Sequence, residues 1–257
     1  MQTKHTILSQ KESKLLENLI IKYGVFVNFQ QIYLELKKDL SRQEIRNLVS
    51  KLSKNGWLVR IKKGMYYIAD LTSRGFAGAS TLIIAQTLVK DSYISFEAAL
   101  QYHNMFDQHL KTITSITLAK KRTIKFQDTN YRFIKTNKKL LYGWEKARVE
   151  GKIIKIASAE KAILDILHFN RNIYSADLVL EKLQEYARDF NWEKLNQYSQ
   201  KQSITVIRIL GFLLDKIKAD SSFLHSLVKD NKGSSYMTKD SQIFNGKWRL
   251  YYHKHFR

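Results

Sequence analysis

Leu15, Leu16, Leu19 and Ile20 recur at helical spacing, and Ser9 stands three residues ahead of Glu12. Apolar positions at i, i+3 and i+4 mark an amphipathic helix, and Ser-x-x-Glu is the capping-box spacing that opens one. This helix is expected to stop near Tyr23-Gly24. Asn28 is the expected N-cap of a short second helix that carries Ile32 and Leu36. Ser41 and Glu44 repeat the capping box for a third, which buries Ile45, Leu48, Val49 and Leu52 and ends near Asn55-Gly56. Two β-rich runs follow at once, "WLVRI" and "MYYIA", joined by Lys62, Lys63 and Gly64.

Three helices and a hairpin in that order are the order of a winged helix-turn-helix, in which the third helix enters the major groove and the hairpin rests on the backbone. With its apolar residues turned inward, the third helix presents Arg42, Gln43, Arg46, Asn47, Ser50 and Lys51 outward. Arginine grips guanine bidentately and glutamine or asparagine grips adenine. Ser50 and Lys51 suit phosphates. Lys62 and Lys63, expected at the wing tip, are point charges for phosphate. Any soluble helix needs a polar face, but this one has no acid besides the capping Glu44.

Beyond Ala69, "LTSRGFAGAS" reads as a hinge. A helix is expected from about 80 to 90, then a short strand and a Ser95-capped helix in "YISFEAALQYHNM". Residues 112–157 alternate β-rich runs with basic turns: "TITSITLA", "TIKFQ", "YRFIKT" and "KIIKIAS". Ser158 is expected to cap "AEKAILDILHF". Helical stretches near 175–188, 192–200 and 203–218 come next, and a basic, aromatic tail closes the sequence. The chain contains no proline, so helix ends must be set by caps and glycines.

Charge sharpens this picture. The 257 residues carry 44 Lys+Arg against 23 Asp+Glu, a formal net charge of +21. Residues 1–70 hold +7 of it, 111–157 hold +10 and the tail from 228 holds +5, whereas 158–227 are neutral. Such a surplus favours a polyanionic partner. Within the second block Lys120, Lys121, Arg122, Lys125, Arg132 and Lys135 form a candidate second basic surface. No run approaches the ~20 apolar residues of a membrane span. The start lacks a signal-peptide stretch, and the absence of cysteine, which excludes thiolate chemistry, fits a reducing cytoplasm.

Catalytic constellations are weak. Ser158-x-x-Lys161 has the spacing of a serine acyl-enzyme, but it lacks the companion motifs and Ser158 reads as a helix cap. His253 and His255 lack a third ligand, and the glycines form no phosphate loop. Asp165, Asp177, Glu181 and Glu185 lie beside Lys161 and Lys182 at helical spacing and read as solvated faces. Tyr66, Tyr67, Trp248, Tyr251 and Tyr252 interleave with cations as base-stacking residues do, but packing in a core or sheet is the better account of them. No metal or cofactor is expected.

Four stretches carry a family resemblance: "YISFEAALQYHNMFD" (93–107), "KIIKIASAEKAILDIL" (152–167), "VIRILGFLLDKI" (206–217) and "NGKWRLYYHK" (245–254). Behind an N-terminal winged helix they resemble the AbiEi family, the antitoxins of type IV toxin–antitoxin phage-defence systems. The resemblance implies a repressor of its own operon that binds inverted repeats in double-stranded DNA. It also implies opposition to a nucleotidyltransferase-like toxin without a stable complex, and a C-terminal domain required for that opposition. The expectation is therefore an α+β protein. It has a winged helix-turn-helix DNA-binding domain over 1–74 and a mixed α/β antitoxin domain over 75–257. The latter is β-rich over about 111–157 and helical over about 158–227. The competing reading is an RNA-directed module, or an enzyme acting on nucleic acid, whose basic C-terminal domain is the working part.

Overall fold

The computed structural model describes residues 7–69 and 80–257. The expected boundary at 74/75 and all of the expected hinge except Ser80 lie outside the described residues. Internal contacts divide the chain into two compact units, 1–84 and 85–257. The architecture is mixed α+β.

The first unit opens with α1 (Gln10–Tyr23), whose capping box joins Ser9 and Glu12 in both directions. Strand β1 (Phe26–Asn28) leads directly into α2 (Phe29–Leu36), capped by Asn28 with Gln31 as the reciprocal partner. Helix α3 (Arg42–Lys54) repeats the device with Ser41 and Glu44. Strands β2 (Leu58–Lys62) and β3 (Met65–Ile68) form the hairpin. The three strands make an antiparallel sheet in the order β1-β3-β2. Leu15, Leu16, Leu19, Val27, Ile32, Ile45, Val49, Leu52, Trp57, Leu58 and Ile68 form one core.

Three features depart from the sequence expectation. β1 is too short to show alternation, yet it pairs Phe26 with Tyr67 and Asn28 with Met65. Ile20, expected inside, is 42% exposed because the apolar stripe of α1 narrows to Leu15, Leu16 and Leu19. Leu48 is only half-buried.

The boundary between the units falls within α4 (Thr81–Leu88). The second unit is built on a six-stranded mixed sheet in the order β6-β7-β5-β4-β9-β8. Its strands are β4 (Ser92–Ile94), β5 (Thr112–Thr117), β6 (Ile124–Phe126), β7 (Thr129–Lys135), β8 (Trp144–Val149) and β9 (Lys152–Ala157). Strand β4 pairs antiparallel with β5 and parallel with β9, through Ile94 and Ile156. The basic stretch 111–157 is therefore two halves with β4 between them. Strand β8 was hidden in the sequence because "WEKARV" is half charged. It forms a hairpin with β9 through Glu150 and Gly151, both at positive φ (46° and 75°). A two-residue loop of that kind needs left-handed backbone at both positions, which glycine adopts freely.

Helices α5 (Phe96–Tyr102), α6 (Ala159–Phe169), α7 (Ile173–Glu185), α8 (Trp192–Ser199), α9 (Ile204–Lys216) and α10 (Ser222–Val228) complete the unit with a small sheet. Ser158 caps α6 by accepting from the Lys161 amide, so the Ser-x-x-Lys spacing is a helix start.

Asp165 and Lys161 correct the expectation of solvated faces. Both are completely buried in α6 and form an ion pair. Ser95 Oγ donates to Asp165 Oδ2 at 2.7 Å and Tyr93 Oη donates to the same oxygen at 3.1 Å. Lys161 Nζ also lies 4.5 Å from the centre of the Tyr142 ring. Burial pushes the Asp165 carboxyl up and the Lys161 ammonium down from their ordinary values, and the charge of each partner opposes the shift of the other. Ser95 stands at the start of α5 but makes no side-chain cap, because its hydroxyl goes to Asp165. The next residue, Phe96, is buried at φ 60°, a conformation that costs a bulky residue about 1–3 kcal/mol. Asp177, Glu181 and Glu185 do face solvent; Glu181 and Glu185 both pair with Lys182.

The expected tail is folded. β10 (Ser235–Tyr236), β11 (Ile243–Asn245) and β12 (Leu250–Tyr252) form a sheet in the order β10-β12-β11. Trp248 is completely buried, and its Nε1 donates to Asp215 Oδ2 at 2.7 Å. A Cβ on Gly211 of α9 would lie 2.1 Å from the Trp248 ring, so that position admits no side chain. The stretches at 93–107 and 152–167 therefore meet through Tyr93, Ser95 and Asp165. Those at 206–217 and 245–254 meet through Gly211, Asp215 and Trp248.

Substitutions at each of the two contacts test them. Asp165→Leu strands Lys161 as a buried charge and is expected to cost about 3–5 kcal/mol in chemical denaturation, whereas the double variant Lys161→Met/Asp165→Leu recovers most of it. Gly211→Ala is expected to cost ~1–3 kcal/mol by displacing Trp248, read as lost tryptophan burial in emission spectra and a lower unfolding midpoint.

Candidate nucleic-acid interface

The capping boxes fix where α3 begins and which face it shows. Ile45, Val49 and Leu52 point into the core, so Arg42, Gln43, Arg46, Asn47, Ser50 and Lys51 are all exposed. A groove of about 430 Å³ runs between α3 and the hairpin. Arg42, Arg46, Ser50 and Ser53 line it from the helix, and Arg60, Lys63, Gly64 and Tyr66 from the strands and turn. Four cations and no carboxylate face this space.

The sequence-predicted residues divide into three groups. Arg42, Arg46, Ser50 and Lys63 converge on the groove. Gln43 and Asn47 sit beside it, joined by a 3.1 Å bond from Gln43 Nε2 to Asn47 Oδ1. The Arg42 guanidinium also lies 6.0 Å from the Tyr33 ring centre, against α2. Lys51 and Lys62 do not join the groove. Lys51 Nζ is 2.9 Å from Glu12 Oε1, tying α3 to α1. Lys62 is the last residue of β2, opposite Met65 and half-buried, so of the two lysines only Lys63 lies in the turn. A local irregularity between Arg60 and Lys62 shifts the register there.

Sequence reasoning misses Arg60 as a groove residue, and it singles out Tyr66 only as a stacking candidate better explained by packing. The signal for Arg60 was a cation inside the otherwise apolar run "WLVRI", which was read only as a strand.

In the second unit Lys120, Lys121 and Arg122 are exposed between β5 and β6, Lys125 is exposed on β6 and Lys135 at the end of β7. Arg132 is drawn away from this surface. It is half-buried, its Nη2 donates to Asn170 Oδ1 at 3.3 Å, and its guanidinium lies 5.8 Å from the Phe96 ring. Tyr67 and Trp248 are buried, and Tyr252 packs 4.7 Å from Phe212, as core and sheet packing require. His253 caps a short 3₁₀ turn, and His255 Nε2 lies 2.9 Å from Asp177 at the surface. Among the described residues no three His, Asp or Glu side chains are placed to hold a metal ion. No described helix is long and apolar enough to cross a membrane.

With this geometry in place, similarity to known proteins adds the fold. The chain is similar in structure to the RV2827C protein from Mycobacterium tuberculosis, known from its crystal structure. The TM-score is 0.66 at 13% identity, over 96% of this chain and 92% of that one. The shared fold thus runs through both units. No protein-family model matches the sequence, and no curated protein matches it.

The Glu12–Lys51 tie predicts a pH dependence. The backbone bond from Ser9, with Lys51 beside it, holds the Glu12 carboxyl below its ordinary 4.5. A folded-state value below the unfolded one contributes stability that is present above the unfolded value and lost as pH falls through the folded one. Glu12→Gln is expected to lower stability at about pH 7 and to flatten the decline toward about pH 3, measured by urea unfolding of the first unit.

Proposed function

We propose that the first unit is a winged helix-turn-helix that binds double-stranded DNA, with α3 in the major groove and the β2–β3 hairpin on the backbone. The observation that carries this reading is the four-cation groove formed by Arg42, Arg46, Arg60 and Lys63. A phosphate backbone is the partner that neutralises such a row, and the exposed Gln43–Asn47 pair supplies amides for base edges. In this reading Arg46 reads a base, whereas Arg60 and Lys63 hold phosphates.

The chain as a whole is then a transcriptional autorepressor and the antitoxin of a type IV toxin–antitoxin system. It binds inverted repeats in its own promoter and opposes a nucleotidyltransferase-like toxin without a stable complex. Support comes from the four stretches that resemble the AbiEi antitoxins, which lie at the two interlocked contacts of the second unit. The exposed lysines between β5 and β7 give that unit its own polyanion-facing surface. The protein acts in the cytoplasm, is not an enzyme and takes no cofactor.

Footprinting of the promoter upstream of the gene tests the reading. Arg46→Ala is expected to cost about 1–3 kcal/mol and to relax preference at one base position. Arg60→Ala with Lys63→Ala is expected to weaken all duplexes alike and to reduce the log–log salt slope by ~0.9 per lost contact. Unchanged promoter affinity in both variants overturns it. In cells carrying the adjacent toxin gene, neutralising Lys120, Lys121, Arg122, Lys125 and Lys135 together is expected to abolish growth rescue while promoter binding by the first unit persists.

A further inference from the structure

The C-terminal sheet places three aromatic side chains in one row. Tyr236 of β10 pairs with Tyr251 of β12, and Tyr251 pairs with Phe244 of β11. Residues in register share a face, and this face is open: Tyr236 is 53% exposed and Phe244 46%. The opposite face is spent on the core, where Ser235 and Leu250 are buried. Tyr236 and Tyr251 are stacked in parallel, with centroids 4.6 Å apart and planes 10° apart. The stack ends at Tyr236, because β10 is the edge strand. One face of the Tyr236 ring is covered by Tyr251, and Tyr236 also lines a hollow of about 460 Å³ together with Arg171, Met237, Thr238 and Lys239. Among the described residues neither Arg171 nor Lys239 is in an ion pair.

The strand that carries this ring is fixed in place. The Ser235 amide donates to the Arg249 carbonyl and the Met237 amide to the Tyr251 carbonyl, each at 2.9 Å. From below, the buried Arg208 donates through Nη1 to Ser235 Oγ at 3.1 Å, and Thr205 Oγ1 bonds the same oxygen at 3.2 Å. Ordering Tyr236 on binding therefore costs little, since its backbone is already held.

We propose that this edge binds an unpaired nucleotide of a single-stranded polynucleotide, its base continuing the Tyr251–Tyr236 stack and its phosphates held by Arg171 and Lys239. An open aromatic face at the end of a stack accepts a planar ring, and every base offers one once it is unpaired. A base inside a duplex has both faces covered by its neighbours and cannot enter. A neutral sugar would leave the two cations unmatched, and an acidic peptide would leave the stack idle. The net +5 of residues 228–257 favours the polyanion again. The site is independent of the duplex-binding groove and stands whether or not that groove reads an operator.

The test uses the full chain and fluorescence anisotropy with labelled oligo(dT) and oligo(U) of about 12 nucleotides, within the span such sites cover. Saturable binding is expected with either sugar, because the ring and the phosphates are what the site holds. Tyr236→Ala is expected to weaken it about tenfold or more, and Tyr236→Phe to leave it unchanged, since stacking needs the ring and not the hydroxyl. Binding of an abasic oligomer should not respond to Tyr236→Ala, and promoter-duplex affinity should not either. That last control separates failure here from failure of the duplex reading. Absence of saturable binding, equal affinity of the Tyr236→Ala variant, or an equal loss with Tyr236→Phe overturns the proposal. A thermal melt of each variant confirms that the exposed substitution leaves the fold intact.

Discussion

The ion pair between Lys161 and Asp165 is the constraint around which the second unit is arranged. Taking two charges out of water is costly, and their attraction offsets that cost only when the remaining lone pairs are satisfied. Asp165 therefore reaches across to Ser95 and Tyr93, and Lys161 is enclosed by the rings of Tyr93 and Tyr142. These partners come from β4, the start of α5 and the segment before β8. The pair consequently fixes how α6 lies on the middle of the sheet. It also explains why Ser95 gives up its capping role and why Phe96 tolerates a left-handed backbone: the hydroxyl and the turn are held by a stronger requirement elsewhere.

The cations of this protein differ in what they are free to do. Lys51, Lys161, Lys182 and Lys247 are engaged by carboxylates, and Arg132 by Asn170 and Phe96. Lys51 and Lys247 tie separate elements together, whereas Lys161 and Lys182 pair within their own helices, the former through an acid that reaches β4 and α5. Arg46, Arg60 and Lys63 instead stand around an acid-free groove. Net charge alone does not separate the two groups; only the placement of the acids does. A Lys-rich chain can thus spend part of its charge on architecture and still present a concentrated field at one surface.

How much of this was legible in the sequence depends on the range of the interaction. Ser9, Asn28, Ser41 and Ser158 were readable as caps because a cap and its partner lie three residues apart. The core side of α3 was readable from its period, and the groove residues of α3 followed from it. Asp165 was misread because it has Lys161 at i−4, the same local pattern as a solvated pair; only the packing of β4 and α5 over it makes the difference. Lys51 looked like a phosphate ligand because Glu12 is far away in sequence. The C-terminal sheet escaped because its strands are two or three residues long, too short for alternation to register. Trp248 and Gly211 carried a readable hint, a large ring and a helical glycine, but nothing local says that one fills the space left by the other.

The short strand β4 has a kinetic meaning as well. It lies at the centre of the six-stranded sheet, yet its parallel neighbour β9 is supplied only after β5 to β8 have been made. The chain emerging from a ribosome can close the local pairs of the first unit early, but the middle of the larger sheet must wait for Ile156 to reach Ile94. Such closure pays loop entropy before any contact rewards it. With no proline in the sequence, peptide isomerisation adds no slower step. The time at which β9 arrives is then the clock of assembly, and until that moment the edge of β4 that β9 will cover is the exposed strand that a growing chain must keep from pairing with another copy.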